Sequence, residues 1–499
     1  MRSYPWAKPR LAQILSLRNE RIEPVLLAML VAAAFLVRIW GITRSHYWDE
    51  MVYLQNAQVI CCGKINYSEL DIRPPLISLL FAGVFLVWHS IWAASIATAL
   101  VNALGPLFLY RAGRLAVGRV PAAIAALLLA FSPFFVGVFP QGFESDDTGN
   151  SLLTDSPALT LVLLAFWLLL RALARQNLLR FVWAGLALAL TFLMRFGSLP
   201  SVGMLFLMPL GAARRWKALL ACAAGFLCGV GPYLIWSRVT YGGFLATLRA
   251  ARRAVEGPEE PFTFFLRNAA TIFTPVALVG VAIAAGWLIW RLWRAAASRE
   301  QIEAGGDSGI KPILIQGFLW LWLAGDFLFF STMNHKEPRY VMPLAPPLLL
   351  LAGFGLALMC AWPRSKWRIA GGVIVGALLV VCFLPLRERF GEHFIDRNVQ
   401  EEMLASVYLQ TAVPPETVLY MNFNYPAFAY YTNYQIHELP AVGAALYSDI
   451  QQIPAGGVLV VYRETEGGEP DLRWVDANPH FERMRDFTTL VVFRRRGGE

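Results

Sequence analysis

Residues 45–53 read Ser-His-Tyr-Trp-Asp-Glu-Met-Val-Tyr, and residues 71–75 read Asp-Ile-Arg-Pro-Pro. The first segment places two adjacent carboxylates, Asp49 and Glu50, a few residues after the first long apolar run of the chain. The second places Asp71 just before a proline pair that opens another apolar segment. Because polar residues that follow a run of membrane-spanning length lie at a membrane surface, we predict that this loop is held at one face of a bilayer.

The composition is that of a membrane protein. The chain has 499 residues, of which 57% are hydrophobic and 15% are charged, whereas soluble domains carry roughly 25% charged residues. The formal charge of +9 comes mainly from short basic clusters between apolar runs, which is typical of cytoplasmic loops and argues against a nucleic-acid partner. The six cysteines include no Cys-x-x-Cys spacing, and we interpret the adjacent Cys61 and Cys62 as two small packing residues.

The apolar runs continue to about residue 386, and basic clusters follow them at alternate connections. Placing those clusters in the cytoplasm predicts a mostly α-helical, polytopic protein with about 11 to 13 transmembrane helices and a cytoplasmic N-terminus. The spans expected on this basis are 24–43, 91–111, 119–139, 157–175, 180–197, 198–213, 218–237, 268–290, 312–333, 340–361 and 369–386.

The apolar segment 74–90 does not fit this topology as a further span. If it crossed the bilayer, every later basic cluster would move to the outside, against the positive-inside bias. We therefore interpret it as a re-entrant or interfacial helix within the first outer loop, 44–90. The other outer loops expected are 140–156 and 333–340.

After Leu386 the composition becomes that of a soluble domain. Hydrophobic periodicity predicts an alternation of helices and strands, and hence a small α/β domain over 387–499 that follows a membrane domain over 1–386. An odd number of spans places this C-terminal domain outside the cytoplasm, with the outer loops. The predicted elements are helices over 397–413, 425–432 and 440–453, and strands over 417–423, 457–463 and 487–494.

Taken singly, the acidic residues of the outer loops have structural explanations. Asp49 and Glu50 fit the first turn of a helix, where carboxylates are favoured by the helix dipole. Asp155 opens the fourth span in the same way, and Asp71 and Arg73 fit a surface ion pair. Structural explanations are likewise open for three charged residues near span ends, Arg38, Arg195 and Asp326. Each side chain either snorkels to the membrane surface or pairs within the helix bundle. The aromatic run 425–434 fits a domain core better than a sugar site.

Together, the outer loops contain the groups needed for group transfer. Clustered carboxylates raise one another's pKa and supply a general base. The cationic side chains of His335, Lys336 and Arg339 are suited to stabilising phosphate charge on a leaving group. The sequence has no Walker or Gly-x-Gly-x-x-Gly loop, and an outward-facing site has no cytosolic pool of nucleotide sugars. This combination favours displacement of a phosphate-linked group, carried on a lipid, by a hydroxyl.

Four motifs carry a resemblance to a known family. They are Trp48-Asp49-Glu50 with Tyr53; Asp71-Ile72-Arg73-Pro74-Pro75-Leu76, in which Arg73 stands where protein mannosyltransferases have histidine; Leu153-Thr154-Asp155-Ser156-Pro157; and His335-Lys336-Glu337-Pro338-Arg339-Tyr340. The sequence resembles the GT-C fold membrane glycosyltransferases, particularly the protein O-mannosyltransferase and aminoarabinose transferase group.

The resemblance implies roles for individual residues. Asp49 would be the general base on the acceptor, and Glu50 and Asp155 would orient the acceptor or hold an optional Mg²⁺ or Mn²⁺ ion together with Asp49. Attack in line with the leaving group implies inversion at the anomeric carbon. The residues implied in binding the lipid phosphate or the sugar are Asp71, Arg73, His335, Lys336, Glu337, Arg339 and Tyr340.

The implied activity is transfer of a sugar from a polyprenyl-phosphate donor to a glycan, lipid or protein acceptor on the outer face of the cytoplasmic membrane. A transporter or flippase of lipid-linked saccharides is the main alternative, although such proteins place their key charges near the bilayer midplane in related halves. A receptor or assembly protein, with a C-terminal domain that binds a partner, is a third hypothesis.

Overall fold

The computed structural model describes residues 22–40, 48–136, 152–254, 259–298, 312–361, 365–387, 401–465 and 467–497. The chain divides into two compact units. The first unit comprises Met1–Ile42 and Ser95–His393, and the second comprises Thr43–Ala94 and Phe394–Glu499. The segment around Asp49 and Arg73 therefore groups with the C-terminal sheet. The predicted division into a membrane domain over 1–386 and an α/β domain over 387–499 remains a prediction.

The described residues form mainly helices, which we number in chain order. They are α1 (Ile22–Ile39), α2 (Trp48–Cys62), α3 (Pro75–Phe85), α4 (Ile91–Ala116), α5 (Arg119–Phe131), α6 (Pro133–Val136), α7 (Asp155–Arg175), α8 (Leu178–Met194), α9 (Leu199–Leu205), α10 (Arg215–Tyr241), α11 (Ala246–Arg253), α12 (Phe264–Arg267), α13 (Ala269–Phe273), α14 (Pro275–Ser298), α15 (Pro312–Ser331), α16 (Ala345–Cys360), α17 (Ser365–Phe383), α18 (Glu401–Ala412), α19 (Tyr425–Tyr431), α20 (Gly443–Gln452) and α21 (Leu472–Asp476). Short 3₁₀ turns cover Phe196–Ser198, Met208–Gly211 and Pro338–Leu344.

Among the described residues, seven helical stretches are long and apolar enough to cross a membrane. These stretches are Ile22–Ile39, Ile91–Ala116, Asp155–Arg175, Arg215–Tyr241, Pro275–Arg294, Leu314–Ser331 and Pro338–Cys360. Shorter apolar helices cover Pro75–Phe85, Arg119–Phe131, Leu178–Met194, Phe196–Gly211 and Arg368–Phe383. Each of the expected spans coincides with one of these segments, and the prediction of a mostly helical multi-pass membrane protein is confirmed.

Helix α3 supports the interpretation of 74–90 as a segment that does not cross. It has 11 residues and therefore a length of about 16 Å, roughly half the thickness of the hydrocarbon core. Leu86, Val87 and Trp88 follow it, and all three side chains are exposed. Such a short apolar helix with an exposed aromatic end is typical of an interfacial segment.

Helices α8 and α10 approach each other through two glycines. A Cβ atom built on Gly185 would lie 1.9 Å from the carbonyl oxygen of Cys222, and one built on Gly225 would lie 2.0 Å from that of Val182. Small residues permit this backbone approach between membrane helices, where packing drives association.

Two charged side chains in the spans are buried and hydrogen-bonded inside the first unit. Arg38 is buried and donates to the carbonyl oxygens of Leu129 and Ala130, both at 3.2 Å. These carbonyls end α5, where backbone acceptors lack partners within the helix and a positive charge is favoured. Asp326 is also buried and accepts a hydrogen bond from Trp322 Nε1 at 2.9 Å. Neither residue snorkels to the membrane surface.

The second unit contains a five-stranded sheet with strand order β2-β1-β3-β5-β4. Strands β2, β1 and β3 are parallel, whereas β5 runs antiparallel to β3 and β4. The strands are β1 (Val418–Met421), β2 (Gln435–Glu438), β3 (Val458–Tyr462), β4 (Phe481–Asp486) and β5 (Leu490–Arg495).

The central strand β3 separates two hydrophobic cores. Val458 and Val460 pack with residues of α18 and α19, whereas Leu459 and Val461 pack with residues of α20 and α21. Since successive side chains of a strand point to opposite faces, the sheet is covered by helices on both sides. The predicted α/β domain is thus confirmed.

Cys61 and Cys62, at the end of α2, are joined by a disulfide bond. The interpretation of this pair as two small packing residues is therefore wrong. The two cysteines are adjacent in the sequence. This spacing matches none of the cysteine patterns from which disulfide bonds are usually predicted.

Candidate functional site

In the second unit, Arg73 connects two carboxylates. Its Nη2 lies 2.8 Å from Asp49 Oδ1, and its Nε lies 2.7 Å from Glu69 Oε2. Burial alone lowers the pKa of Arg73, but Asp49, Tyr53 and Glu69 together raise it above its usual range. The expected surface pair between Asp71 and Arg73 is not formed, because the partners of Arg73 are Asp49 and Glu69.

Glu69 is itself held by two hydrogen bonds, one to its carboxylate and one from its backbone. Tyr67 donates its hydroxyl to Glu69 Oε1 at 2.6 Å, and the Glu69 backbone N–H donates to Asn56 Oδ1 at 3.0 Å. Asn56 lies in the middle of α2 and is buried. The loop that carries Arg73 is therefore tied to the helix that carries Asp49.

Asp49 and Glu50 are in the first turn of α2, as the helix-start interpretation expected, but their environments differ. The Asp49 side chain is 22% exposed, whereas Glu50 is fully buried. Asp71, two residues before Arg73, is exposed. Of the two adjacent carboxylates, only Asp49 is therefore accessible to a substrate in this conformation.

The loop that follows α2 docks on the C-terminal domain within the same unit. Asn66 is buried, and its Nδ2 donates to the carbonyl oxygens of Ala429, Thr432 and Tyr434 at 3.1–3.2 Å. Its Oδ1 accepts a hydrogen bond from Gln55 Nε2 at 2.8 Å. Asn66 thus joins α2 to the C-terminal part of α19 and to the residues that follow it.

Two further contacts strengthen this docking. The ring of Trp48 lies edge-on to that of Tyr425, with centroids 4.4 Å apart. Lys64 Nζ donates to the Tyr430 carbonyl oxygen at 2.6 Å, and burial lowers the pKa of Lys64 to about 8. The aromatic run 425–434 therefore belongs to a packed interface, as the core interpretation expected.

In the first unit, Asp155 pairs with a residue to which the sequence assigned no role in the site. Asp155 is the first residue of α7, and its buried carboxylate forms an ion pair with Arg195. The Arg195 guanidinium lies 5.3 Å from the centre of the Tyr340 ring. Arg195 consequently links the second acidic motif to the His335–Tyr340 motif.

Glu337 is the centre of the His335–Tyr340 motif. It pairs with Arg339, accepts a hydrogen bond from the Tyr340 hydroxyl at 2.8 Å, and lies 3.0 Å from His335 Nε2. Burial on its own raises the pKa of Glu337, but Arg339 and these hydrogen bonds lower it to about 2. Glu337 is thus an ionised carboxylate that fixes its three neighbours.

Lys336 points away from this cluster. Its ammonium group donates to the Glu260 carbonyl oxygen at 2.6 Å and to the Met333 carbonyl oxygen, and the residue is buried. In this conformation Lys336 fastens the loop to residues 259–260, so its predicted contact with a lipid phosphate would require these hydrogen bonds to be exchanged.

The structure thus assembles the candidate residues as two clusters, one in each unit. Asp49 and Arg73 belong to the second unit, with Glu50 and Asp71 nearby, and Asp155 and the 335–340 motif belong to the first. Most of the second acidic loop expected at 140–156, and His46 and Tyr47 before α2, lie outside the described residues. Sequence patterns did not identify Glu69 or Arg195, which have no motif of their own.

The described residues do not fit a divalent cation. No group of three or more His, Cys, Asp or Glu side chains among them is arranged to hold a metal. Asp49 and Asp155 each already pair with an arginine, and Glu50 is buried. Mg²⁺ is usually held by one or two carboxylates and several waters. Because the carboxylates of Asp49 and Asp155 are already paired with arginines in this conformation, no step is assigned to a metal ion.

Two family models match separate parts of the chain. The model for dolichyl-phosphate-mannose-protein mannosyltransferase matches residues 72–236, and that for the Alg9-like mannosyltransferase family matches residues 259–411. The first match includes Arg73, Asp155 and Arg195, and the second includes the 335–340 motif.

Two curated relatives are similar over most of the chain. The undecaprenyl phosphate-alpha-4-amino-4-deoxy-L-arabinose arabinosyl transferase of Pseudomonas aeruginosa is 26% identical over 395 residues, which cover 72% of this chain and 66% of the relative. The second such transferase of Proteus mirabilis is 23% identical over 401 residues, which cover 75% of this chain and 67% of the relative. The chain spans about two thirds of the length of these relatives.

Solved structures share the fold. ArnT from Cupriavidus metallidurans bound to undecaprenyl phosphate superposes with a TM-score of 0.66 at 14% identity, over 95% of this chain and 98% of that one. The Archaeoglobus fulgidus oligosaccharyltransferase superposes with a TM-score of 0.58 at 12% identity, over 90% of this chain and 70% of that one. Together with the family models, these similarities confirm the predicted GT-C fold and the predicted resemblance to membrane glycosyltransferases.

Proposed function

We propose that this GT-C fold membrane glycosyltransferase transfers a sugar from a polyprenyl-phosphate donor to a hydroxyl of a glycan, lipid or protein acceptor, with Asp49 as the general base. The observation that carries the proposal is the contrast between the two adjacent carboxylates. Asp49 is partly exposed and held by Arg73, whereas Glu50 is buried.

The donor class is supported by the relatives. The two curated relatives are named for an undecaprenyl-phosphate-linked aminoarabinose, and the structure that superposes over 95% of this chain holds undecaprenyl phosphate. A donor carried on a lipid is also the only source expected at a site without access to nucleotide sugars.

The reaction assigned to these residues is a single displacement. The acceptor oxygen attacks the anomeric carbon while Asp49 takes the hydroxyl proton, and the bond between that carbon and the phosphate oxygen breaks. The electron pair leaves with the polyprenyl phosphate, and the configuration at the anomeric carbon inverts. A general base contributes typically 10²–10⁴-fold to such a step.

Arg73 is proposed to assist the leaving group. Its Nη2 and Nε bind Asp49 and Glu69, and its Nη1 makes no hydrogen bond with the described residues. The remaining N–H donors of the guanidinium suit a phosphate oxygen. Glu69 then serves to aim the guanidinium, and Asp71, which is exposed, is assigned to the sugar or acceptor.

The 335–340 motif is proposed to bind lipid phosphate. His335, Arg339 and Tyr340 surround the ionised Glu337, which holds them in a fixed arrangement. Lys336 joins them when it exchanges its backbone partners for phosphate oxygens. Asp155, paired with Arg195, and Glu50 are assigned to positioning.

The orientation is part of the same proposal. We place the protein in the bacterial cytoplasmic membrane, with its N-terminus in the cytoplasm and the C-terminal domain outside. The alternation of basic clusters supports this orientation. The disulfide between Cys61 and Cys62 supports an oxidising compartment for the loop after α2.

A deletion strain provides the test. Mass spectrometry of its lipid-linked sugars and glycoconjugates is expected to show an accumulated polyprenyl-phosphate sugar and one missing modification. Wild-type protein restores the modification, Asp49→Asn does not, and the surface variant Asp476→Asn restores it as the matched control. Restoration by Asp49→Asn at the wild-type rate would rule out Asp49 as the base. An unchanged set of lipid-linked sugars would rule out the donor class.

A further inference from the structure

A basic cavity lies in the first unit at the end of α7 that is distant from Asp155. Its volume is about 490 Å³, and its lining includes Arg111, Arg114, Arg119 and Arg171. Arg171 follows Asp155 by 16 residues in the same helix, which corresponds to about 24 Å along the axis. The cavity is therefore separate from the acidic end of α7.

The lining carries an excess of positive charge. Four arginines face one carboxylate, that of Glu23. Glu23 pairs with Arg114, lies 3.6 Å from Arg119 and accepts a hydrogen bond from the Tyr110 hydroxyl at 3.1 Å, so its charge is already engaged. No carboxylate among the described residues pairs with Arg111 or Arg171, which supply the uncompensated charge.

Trp167 holds these two arginines in place. The guanidinium of Arg171 lies 4.9 Å from the centre of the Trp167 ring, and that of Arg111 lies 5.6 Å from it. Cation–π contacts of this kind fix the planar groups through their faces and leave the N–H donors at their edges available. The arrangement is a pre-organised clamp for an anionic group with several acceptor oxygens.

The protein surface beside the cavity is apolar and suits contact with a lipid. Glu23 is in the first turn of α1, and the same helix exposes Val25, Leu26 and Met29, with 57%, 45% and 62% of their surfaces accessible. This apolar surface continues from the cavity along a membrane-spanning helix and can contact an acyl chain. Basic pockets between transmembrane helices bind lipid head groups in this manner.

We propose that this cavity binds the phosphate of an anionic phospholipid at the membrane face opposite to Asp155. The site is independent of the sugar-transfer proposal. Lipid binding would stabilise the packing of α1, α4 and α7. The stability of the first unit would therefore depend on the anionic lipid content of that leaflet.

The test measures lipid binding by the purified full-length protein with native mass spectrometry and with thermal unfolding. The probes are phosphatidylglycerol, phosphatidylcholine and inorganic phosphate at equal concentrations. We expect tighter binding and greater thermal stabilisation with phosphatidylglycerol. Since a basic residue near an anionic membrane surface contributes about 1 kcal/mol, affinity should fall about fivefold in Arg111→Gln or Arg171→Gln and about 25-fold in the double variant.

Arg175→Gln is the matched control, because Arg175 is an exposed arginine of the same helix that does not line the cavity. It should retain wild-type affinity within twofold. Arg111 is exposed, so Arg111→Gln keeps the test decisive if the double variant does not fold. Equal loss in Arg175→Gln, equal binding of phosphatidylcholine, or equal stabilisation by inorganic phosphate would overturn the assignment to an anionic lipid.

Discussion

Replacing Glu337 by glutamine should destabilise the protein in a pH-dependent manner. The residue is the acceptor for His335, Arg339 and Tyr340, and glutamine keeps its size while removing its charge. The substitution therefore tests whether the ionised carboxylate, and not the shape of the side chain, organises the 335–340 motif.

The magnitude follows from the change in pKa on folding. The pKa of Glu337 falls from 4.5 to about 2, and at 1.36 kcal/mol per pH unit this corresponds to about 3 kcal/mol. Because the pKa is lowered in the folded state, this stabilisation is complete above pH 4.5. It is lost as the pH falls from 4.5 towards 2, where the folded state also takes up the proton.

The assay is thermal unfolding of the purified protein in detergent at a fixed heating rate, at pH values from 3 to 7. Wild type is expected to lose stability below pH 4.5 more steeply than Glu337→Gln, and the variant should unfold a few degrees lower at pH 7. Glu416→Gln, at an exposed carboxylate, is the control. A variant with the wild-type midpoint at pH 7 and the wild-type pH dependence would refute the reasoning.

Three further predictions concern single contacts. Asn66→Ala removes buried hydrogen bonds to Ala429 in α19 and to Thr432 just after it and should cost about 2–4 kcal/mol, measured as faster amide exchange in residues 425–434; unchanged exchange would contradict it. Arg195→Gln leaves the buried Asp155 carboxylate without its ion pair and should cost about 3–5 kcal/mol, with partial recovery in Arg195→Lys, measured by thermal unfolding. Gly225→Ala should reduce the yield of monodisperse protein, whereas Gly231→Ala on the same helix should not, because only the first Cβ meets backbone; equal yields would argue against the close approach of α8 and α10.

The sequence predicted those features that depend on local pattern. Hydropathy located the membrane helices, and short runs of apolar residues located the buried strands β1, β3 and β5. Strands β2 and β4 were missed, because Gln435–Glu438 and Phe481–Asp486 are mostly polar. Both lie at the edges of the sheet, where a strand needs little apolar surface.

The partners within the candidate site could not be predicted from local pattern. Arg73 has carboxylates at two nearby positions, and only the conformation of the loop selects Glu69 over Asp71. Arg195 lies 40 positions after Asp155 in the sequence, and neither residue type indicates the other. Motifs therefore identified the acidic residues, and tertiary structure determines which cations hold them.

The docking of Asn66 on residues 429–434 has a consequence for biosynthesis. The two partners are 363 positions apart in the chain, so a ribosome that adds about 5–20 residues per second needs roughly 20–70 s to supply the second after the first. During this interval the membrane helices can insert and pack, but the helix that carries Asp49 lacks the surface on which its following loop rests. The second unit is therefore completed last, and a chain that stops before residue 425 would reach the membrane without an ordered Asn66 loop.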